Sequence, residues 1–365
     1  MSRSTPSKPI PGNLSLYLDF LRLMAACAVF FSHARNFLFP QIDLGFWDEG
    51  KEAVAVFFVL SGFVISHVVD CKEKDYKSYA VARMARIYPV AVLAVFITLA
   101  ADSIGTLFYA PYYAALDGLH NGFYQKTNFV SALSYLGFFN QIWFTHSIFG
   151  TDEPYWSLGF EVPYYIFFGL ISFLPGKKKL AGGLVWALIC GPKIIQYLPL
   201  WLLGVLGQKI MRQGKVSSKF LASMLFIFSI LLLCFAKKYM GFFTTNMYQT
   251  FSLTQEVDNL CYFTLIGAGV LLNILAMHGL LADGRLLPES VANLIRWGAG
   301  GSFTLYLVHL PILVLVSGIL APAIDSVIVG LSAAVLVFAF GLSLSLLAER
   351  RKKVFAGIFA RIFLA

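Results

Sequence analysis

Charged side chains are scarce in this chain of 365 residues. Asp, Glu, Lys and Arg together make up 13% of the sequence, whereas hydrophobic residues make up 58%. Soluble domains carry about 25% charged residues, so this composition excludes an ordinary soluble protein. Several apolar runs reach the roughly 20 residues that a helix needs to cross a bilayer. The sequence therefore predicts an all-α protein, a polytopic bundle of transmembrane helices.

Cysteine pairs are lacking as well. The five cysteines are scattered, mostly within apolar runs, at positions 27, 71, 190, 234 and 261. No CxxC pair or metal-ligand spacing occurs, so neither a disulfide framework nor a metal site is predicted. The polar start of the chain runs into the first apolar stretch without the small-residue cleavage site of a signal peptide.

Basic residues outnumber acidic ones, and the formal net charge is +9. In a membrane protein, clustered Lys and Arg mark cytoplasmic loops and contacts with anionic lipids, so nucleic acid is not expected as a partner. The clusters at 72–86, 177–179 and 350–353 define the cytoplasmic side. Alternation from these loops predicts about ten spans, with both termini in the cytoplasm.

The predicted organisation is a cytoplasmic tail at 1–13, one transmembrane domain at 14–348 and a basic cytoplasmic tail at 349–365. The spans are predicted at 14–39, 54–69, 90–108, 155–174, 180–195, 197–211, 219–236, 256–277, 302–321 and 326–348. Pro89 is expected at the N-terminus of the third span. The moderately apolar piece at 129–144 must then dip into the outer half of the membrane or lie on its surface.

The first span carries polar side chains that lipid disfavours. A charge near the bilayer centre costs about 2.5–17 kcal/mol, so Asp19 and Arg22 are expected to pair and to face a protein interior. His33 lies eleven residues after Arg22, on the same helical face and about 16 Å away. Imidazole titrates near neutrality, so His33 is a candidate general base toward a hydroxyl. The alternative is that Arg22 and His33 only pack against polar backbone.

Arg83 and Arg86 lie three residues apart beside Tyr88, before the third predicted span. Guanidinium groups bind phosphate through two parallel hydrogen bonds, so the pair could form a phosphate fork. The simpler alternative is a positive-inside anchor.

Glu161 follows Trp156 and Ser157 within an apolar stretch. Its carboxylate could orient His33 or neutralise Arg22, or it could form a purely structural ion pair. Trp156 could equally belong to an interfacial aromatic belt.

Tyr306 and His309 lie one turn apart near Pro311. His309 could serve a site or simply cap backbone at a proline kink. Ser61, in the small Ser61–Gly62 pair, is expected to allow close helix packing.

Together these blocks resemble the acyltransferase 3 family, which includes O-acetylases of bacterial O-antigen, exopolysaccharide and Nod factor. Residues 18–33 resemble its opening helix with an Arg-x10-His signature, and residues 54–66 resemble its Phe-Phe-x-Leu-Ser-Gly-Phe block. Residues 83–89, 156–165 and 302–311 resemble the Arg-x-x-Arg-Ile-x-Pro, Trp-Ser-Leu-x-x-Glu and Tyr-Leu-x-His blocks. The resemblance covers about residues 14–348.

The resemblance implies a multi-pass protein of the bacterial inner membrane that moves an acyl group, most simply acetyl, from cytoplasmic acyl-CoA to a carbohydrate hydroxyl. His33 would be the base, with Arg22, Asp19 and Glu161 as further catalytic residues. Acyl-CoA phosphates would be held at the inner mouth by Arg83, Arg86 and Tyr88. The substrate pocket would be formed by Trp156, Ser157, Ser61, Tyr306 and His309.

Two departures from the family pattern bear on this assignment. Ala34 stands where some members have an acidic residue beside the first-helix histidine, and Ala55 stands where many have a polar residue. What orients His33 is therefore open, which favours Glu161 for that role. Intramembrane Arg, His and Glu would also suit a transporter or flippase for a lipid-linked sugar or small anion, and a structural subunit without chemistry is a third alternative.

Overall fold

The computed structural model describes residues 10–42, 50–73, 75–119, 127–214, 218–251, 255–282, 287–321 and 326–363. Most of the loop at 41–49, between the first two predicted spans, lies outside these residues. Within the described part the chain forms α-helices joined by turns, with no β-strand. The helices are α1 (Gly12–Leu38), α2 (Gly50–Cys71), α3 (Tyr76–Phe108), α4 (Ala110–Leu119), α5 (Phe129–Leu136), α6 (Leu158–Phe173), α7 (Lys178–Cys190), α8 (Pro192–Arg212), α9 (Lys219–Phe251), α10 (Gln255–Leu280), α11 (Glu289–Ala299), α12 (Ser302–Leu320), α13 (Val327–Leu344) and α14 (Lys352–Phe363).

Among the described residues, eight helical stretches are long and apolar enough to cross a membrane. They are Gly12–Leu38, Gly50–Cys71, Tyr76–Phe108, Pro192–Arg212, Lys219–Lys238, Leu260–Leu280, Ser302–Leu320 and Val327–Phe363. The expected spans at 155–174 and 180–195 correspond to α6 and α7, which have only 16 and 13 residues. The all-α membrane architecture is confirmed, whereas ten spans stay a prediction.

The boundary expected at Pro89 is wrong. Helix α3 starts at Tyr76, where the Asp75 side chain accepts a hydrogen bond from the Ser78 backbone N–H at 2.9 Å. Pro89 lies inside the helix, thirteen residues after its start. Proline in a helix interior loses one backbone hydrogen bond but is tolerated in membrane helices, where neighbouring groups satisfy the freed carbonyl. Arg83 and Arg86 are therefore the eighth and eleventh residues of one continuous helix.

The chain divides into two compact units. Unit one contains residues 1–25, 51–74 and 195–296, and unit two contains residues 26–50, 75–194 and 297–365.

Unit one is organised around the parallel pair α2 and α8. The Trp201 indole N–H donates to Ser61 Oγ at 3.2 Å, and one to two turns further along Ser66 Oγ donates to Gln208 at 3.0 Å. At the end of the pair, Arg212 and Asp70 form an ion pair at 3.1 Å.

A Cβ atom on Gly62 would lie 2.1 Å from the Trp201 carbonyl oxygen. The packing role expected for the Ser61–Gly62 pair is thus present, because glycine lets the two backbones approach.

Unit two is organised around α3 and α12, which pack against each other, while α12 also contacts α13. Residues 127–151 form a hairpin along α3 in this unit. Thr151 donates through its backbone N–H and its hydroxyl to the Asp102 carboxylate at 2.9 and 2.7 Å, and Thr127 lies beside Gly150. At the other end of the hairpin, the Phe138 ring packs on Tyr88 with a centroid distance of 5.3 Å.

Asp102 and Tyr88 are fourteen residues apart, which is about 21 Å along the helix. Residues 127–151 therefore extend along α3 from beside Asp102 to beside Tyr88, and then return to Asp102. That the 129–144 piece dips into the outer half of the membrane or lies on its surface stays a prediction. Helix α6 then runs back along α3, where the Tyr79 hydroxyl donates to the Tyr165 carbonyl at 2.8 Å.

A first prediction concerns close packing in unit one. Adding a methyl group at Gly204 would place its carbon 2.0 Å from the Val59 carbonyl oxygen, whereas Gly357 has no heavy atom within 4 Å of the same position. Gly204→Ala should destabilise the protein by about 1–3 kcal/mol, the usual cost of overpacking. Gly357→Ala should leave the midpoint of thermal unfolding in detergent unchanged or raise it, since alanine favours helix. Equal midpoints for the two variants would contradict the close approach of α2 and α8.

A second prediction concerns the hairpin at 127–151. If it does not cross the membrane, single cysteines at Ser78 and Lys178 face the cytoplasm and one at Gly118 faces outside. In a cysteine-free background of intact cells, an impermeant thiol reagent should label Gly118→Cys and not the other two. Labelling of Lys178→Cys from outside would mean that the hairpin crosses the membrane.

Candidate functional site

The candidate site in unit two is centred on two histidines from distant parts of the chain. His33 lies near the end of α1 and is half-buried, and His309 lies in α12 and is fully buried. His33 Nδ1 lies 2.8 Å from His309 Nε2, and the two ring planes differ by 12°. The expected pocket residue His309 is thus in direct contact with the expected base.

The second ring nitrogen of His309 contacts its own helix. Nδ1 lies 2.8 Å from the Tyr306 carbonyl oxygen and 3.1 Å from that of Leu305. The backbone-capping role considered for His309 is therefore present together with the contact to His33. The Phe30 and Tyr306 rings pack beside the His309 imidazole at centroid distances of 6.0 and 6.3 Å.

A short 3₁₀ turn at Glu153–Ser157 closes another side of this site. The hydroxyls of Tyr306 and Ser157 both donate to the Pro154 carbonyl, at 3.1 and 3.2 Å. Trp156 packs edge-on against Phe160 at 5.5 Å. Of the five expected pocket residues, the structure brings Tyr306, His309 and Ser157 together, and Trp156 adjoins Ser157 in the same turn.

Acidic side chains gather near the Tyr306 hydroxyl. Glu153, Asp152 and Glu161 all lie within electrostatic range of it. Asp152 is completely buried, and burial raises the pKa of its carboxyl well above the usual range, with the nearby Asp102 and Glu153 charges raising it further. Burial therefore disfavours the charged form of the Asp152 carboxyl.

Glu161 lies in the first turn of α6, not six residues into a span as the sequence suggested. Its carboxylate accepts a hydrogen bond from the Tyr165 hydroxyl. It also lies within electrostatic range of Arg86, together with Glu349. The expected role of Glu161 toward His33 stays a prediction.

Glu349 ties the C-terminal segment to α12. Its carboxylate accepts from the Thr304 backbone N–H at 3.0 Å and from the Thr304 hydroxyl at 3.1 Å. The N-cap residue Gly301 has no side chain to cap α12, so Glu349 supplies the missing acceptor and favourable charge at the helix N-terminus. This fixes the helix that carries Tyr306 and His309. The expected basic tail at 349–365 thus contains a structural residue, and its helix α14 packs against α3.

Arg83 and Arg86 have different surroundings. The Arg83 guanidinium lies over the Tyr79 ring at 5.2 Å and near the Tyr165 ring at 6.0 Å. It lines a cavity of about 380 Å³, which Tyr88 also lines. The remaining wall is mostly apolar and includes Met84, Ile87, Phe138, Phe139, Ile142, Pro163, Ile166 and Trp186. Arg86 is not among the residues that line this cavity, and it lies within electrostatic range of the Glu161 and Glu349 carboxylates, so the two arginines have different surroundings.

Three expected site residues belong to unit one. Asp19 and Arg22 form the expected ion pair, at 3.5 Å, one turn apart on α1. Ser61 accepts its hydrogen bond from Trp201 in the packed pair α2 and α8. The catalytic roles of Asp19 and Arg22 and the pocket role of Ser61 stay predictions.

Sequence reasoning missed three residues that shape unit two. The sequence could have identified Asp102 as important, because a carboxylate within an apolar run must find a partner. The sequence gives no such indication for Asp152 and Glu349, since both stand among polar residues and their partners are remote in the chain.

Comparison with known proteins places the chain in a family. Residues 15–350 match the sequence model of the acyltransferase 3 family, described as an acyltransferase domain. Among curated proteins, the chain is similar to Nodulation protein 10 of Rhizobium leguminosarum bv. viciae, with 29% identity over 196 residues. The aligned region is 46% of this chain and 47% of that protein, so the chain spans about half the length of the curated relative it matches.

No solved structure matches the chain. The family match nevertheless covers nearly the whole sequence, from the start of α1 to the last residues before α14. It includes every residue of the histidine pair, the acidic turn and the arginine-lined cavity. This multi-pass membrane protein therefore belongs to the acyltransferase 3 family.

Proposed function

We propose that the protein is a membrane O-acyltransferase that moves an acyl group, most simply acetyl, from cytoplasmic acyl-CoA to a hydroxyl group of a surface or lipid-linked carbohydrate. The observation that carries this proposal is the contact between His33 and His309 at 2.8 Å. It holds a half-buried imidazole in one orientation, inside a helix whose other residues are mostly apolar, and this supports a role for His33 as a general base. Family membership supports acyl transfer as the reaction class.

The proposed reaction needs one proton acceptor and no redox step. The acceptor hydroxyl oxygen attacks the thioester carbonyl carbon while His33 takes the hydroxyl proton. The carbon–sulfur bond then breaks, and the CoA thiolate leaves and receives the proton from the His33 imidazolium. The products are an O-acyl ester and free CoA thiol.

The proposed donor site is the cavity lined by Arg83 and Tyr88. Its volume of about 380 Å³ and its apolar wall suit an extended organic arm, and the Arg83 guanidinium at its edge suits an anionic group. Arg86 lies within electrostatic range of two carboxylates, so a phosphate there would have to compete with them. We therefore assign phosphate binding mainly to Arg83 and a supporting structural role to Arg86.

A transporter or flippase stays the alternative, and one assay separates the two. Purified protein in lipid nanodiscs, given acetyl-CoA and a membrane extract as the source of acceptor, should release CoA thiol in proportion to enzyme. Substrate movement without thiol release would support transport and contradict the proposal.

The third prediction concerns His33. His33→Gln keeps a polar side chain of similar length but removes the base, and general bases contribute about 10²–10⁴-fold to rate. The variant should insert normally and lose at least about 90% of the thiol-release rate. The matched control is His67→Gln, which changes a buried histidine of unit one that contacts Cys71. Retention of most activity in His33→Gln would exclude the base role.

The fourth prediction separates the two arginines. Arg83→Ala should raise the KM for acetyl-CoA about 10–100-fold with little change in kcat, because a charge-assisted hydrogen bond to a remote phosphate is worth about 1.5–3 kcal/mol. Lys at position 83 should rescue the KM only in part, since it cannot form a bidentate contact.

Arg86→Ala should instead reduce the yield of folded protein or lower kcat, because it removes a cation that lies within electrostatic range of Glu161 and Glu349. Unchanged KM in both Ala variants would mean that the donor is bound elsewhere and that the arginines only anchor the topology.

A further inference from the structure

We infer that His309 is a positioning residue that fixes the tautomer of His33, so that the Nε2 atom of His33, and not Nδ1, is the basic nitrogen. The inference rests on the proposed function for its catalytic meaning. The tautomer itself follows from hydrogen-bond chemistry within unit two and can be observed without any reaction.

His309 Nδ1 is the buried end of this chain of hydrogen bonds. His309 Nδ1 lies 2.8 Å from the Tyr306 carbonyl oxygen and 3.1 Å from the Leu305 carbonyl oxygen. Carbonyl oxygens can only accept hydrogen bonds, so His309 Nδ1 must carry a hydrogen. These backbone groups are part of α12 and cannot change roles.

The other nitrogen of His309, Nε2, has a different role. The side chain is fully buried, and its ring neighbours are the uncharged side chains of Phe30 and Tyr306 and the His33 ring. An imidazolium in such surroundings is costly, so the resting side chain is neutral. A neutral imidazole with hydrogen on Nδ1 has its lone pair on Nε2. That atom is therefore an acceptor.

The acceptor atom of His309 contacts the proposed base, His33. His33 Nδ1 lies 2.8 Å from the His309 Nε2 acceptor, with the two ring planes 12° apart. The contact is a hydrogen bond only if His33 Nδ1 donates. A neutral His33 then carries its lone pair on Nε2, the nitrogen on the opposite side of the ring from His309.

In this arrangement His309 has the role that a carboxylate has in many hydrolases, which is to fix the tautomer of the catalytic histidine. In a Ser-His-Asp triad, the carboxylate holds the histidine in one tautomer, and losing that control lowers kcat by about 10⁴-fold. Here the acceptor is a neutral imidazole, itself oriented by backbone carbonyls. The contact with His309 also explains why Ala34 can replace the acidic residue that some family members have, because a base oriented by His309 does not need an acidic residue next to it in sequence.

The direct test is the ¹⁵N NMR spectrum of the protein with ¹⁵N-labelled imidazole rings in nanodiscs. The chain has six histidines, so the signals of His33 can be assigned by their loss in His33→Gln. In the wild type, above the pH at which His33 is charged, Nδ1 should give the shift of a protonated nitrogen and Nε2 that of an unprotonated one. The opposite pattern would overturn the inference.

Two substitutions at position 309 test the role of the acceptor. His309→Leu removes it, and His33 should change to a tautomer mixture with substantial Nε2–H. His309→Gln offers an amide oxygen that can accept from His33 Nδ1–H and should keep the wild-type tautomer. An unchanged His33 pattern in His309→Leu would also overturn the inference. His67→Gln, in unit one, is the control that should not move the His33 signals.

Kinetics then connect the tautomer to the reaction. His309→Leu should lower kcat about 100-fold or more with little change in the KM for acetyl-CoA, and His309→Gln should recover at least about a tenth of wild-type kcat. A merely structural role would reduce folded protein in both variants and leave kcat per folded molecule unchanged. If the tautomer is as inferred but the wild type never releases thiol, the proposed function fails and the tautomer assignment stands.

Discussion

The cost of placing a polar group inside a membrane protein organises this structure. An unsatisfied polar group in an apolar interior costs several kcal/mol, so each one in a membrane helix needs a partner. Asp102 accepts two hydrogen bonds from Thr151, Glu349 accepts two from Thr304, and Arg86 lies within electrostatic range of two carboxylates. The hydrogen bonds attach the segment before the 3₁₀ turn to α3 and the C-terminal segment to α12, the helix that carries Tyr306 and His309.

The same constraint explains how a base can exist in such a place. A carboxylate beside His33 would itself have to be desolvated, whereas a neutral imidazole is much cheaper to bury. His309 supplies the acceptor without bringing a charge, and its own N–H is satisfied by carbonyls of its helix. His309 therefore adds no charge of its own, and in the proposed reaction a positive charge arises on His33 when it takes the hydroxyl proton.

Much of the fold could be predicted from the sequence, because apolar runs indicate membrane-spanning helices and basic clusters indicate cytoplasmic loops. The first helix, the Asp19–Arg22 pair and the packing at Ser61–Gly62 all followed from local patterns, whereas the dip of the 129–144 piece stays a prediction. Helix boundaries were less predictable: Pro89 looked like a helix start, but packing carries α3 through it. The His33–His309 contact joins residues 276 apart, and the Glu349 cap reaches back 45 residues. Local sequence contains no signal for such pairings, since they depend on how the helices pack.

Acyl transfer from a CoA thioester is the central claim, and its product can be observed directly. Acetyl-CoA labelled with ¹³C in the acetyl group, added to inside-out membrane vesicles that contain the protein, should yield a ¹³C-acetyl ester on extracted glycan. The label should be absent from vesicles that carry His33→Gln at equal protein level. Equal ester formation in both, or labelled free acetate as the sole product, would contradict the account.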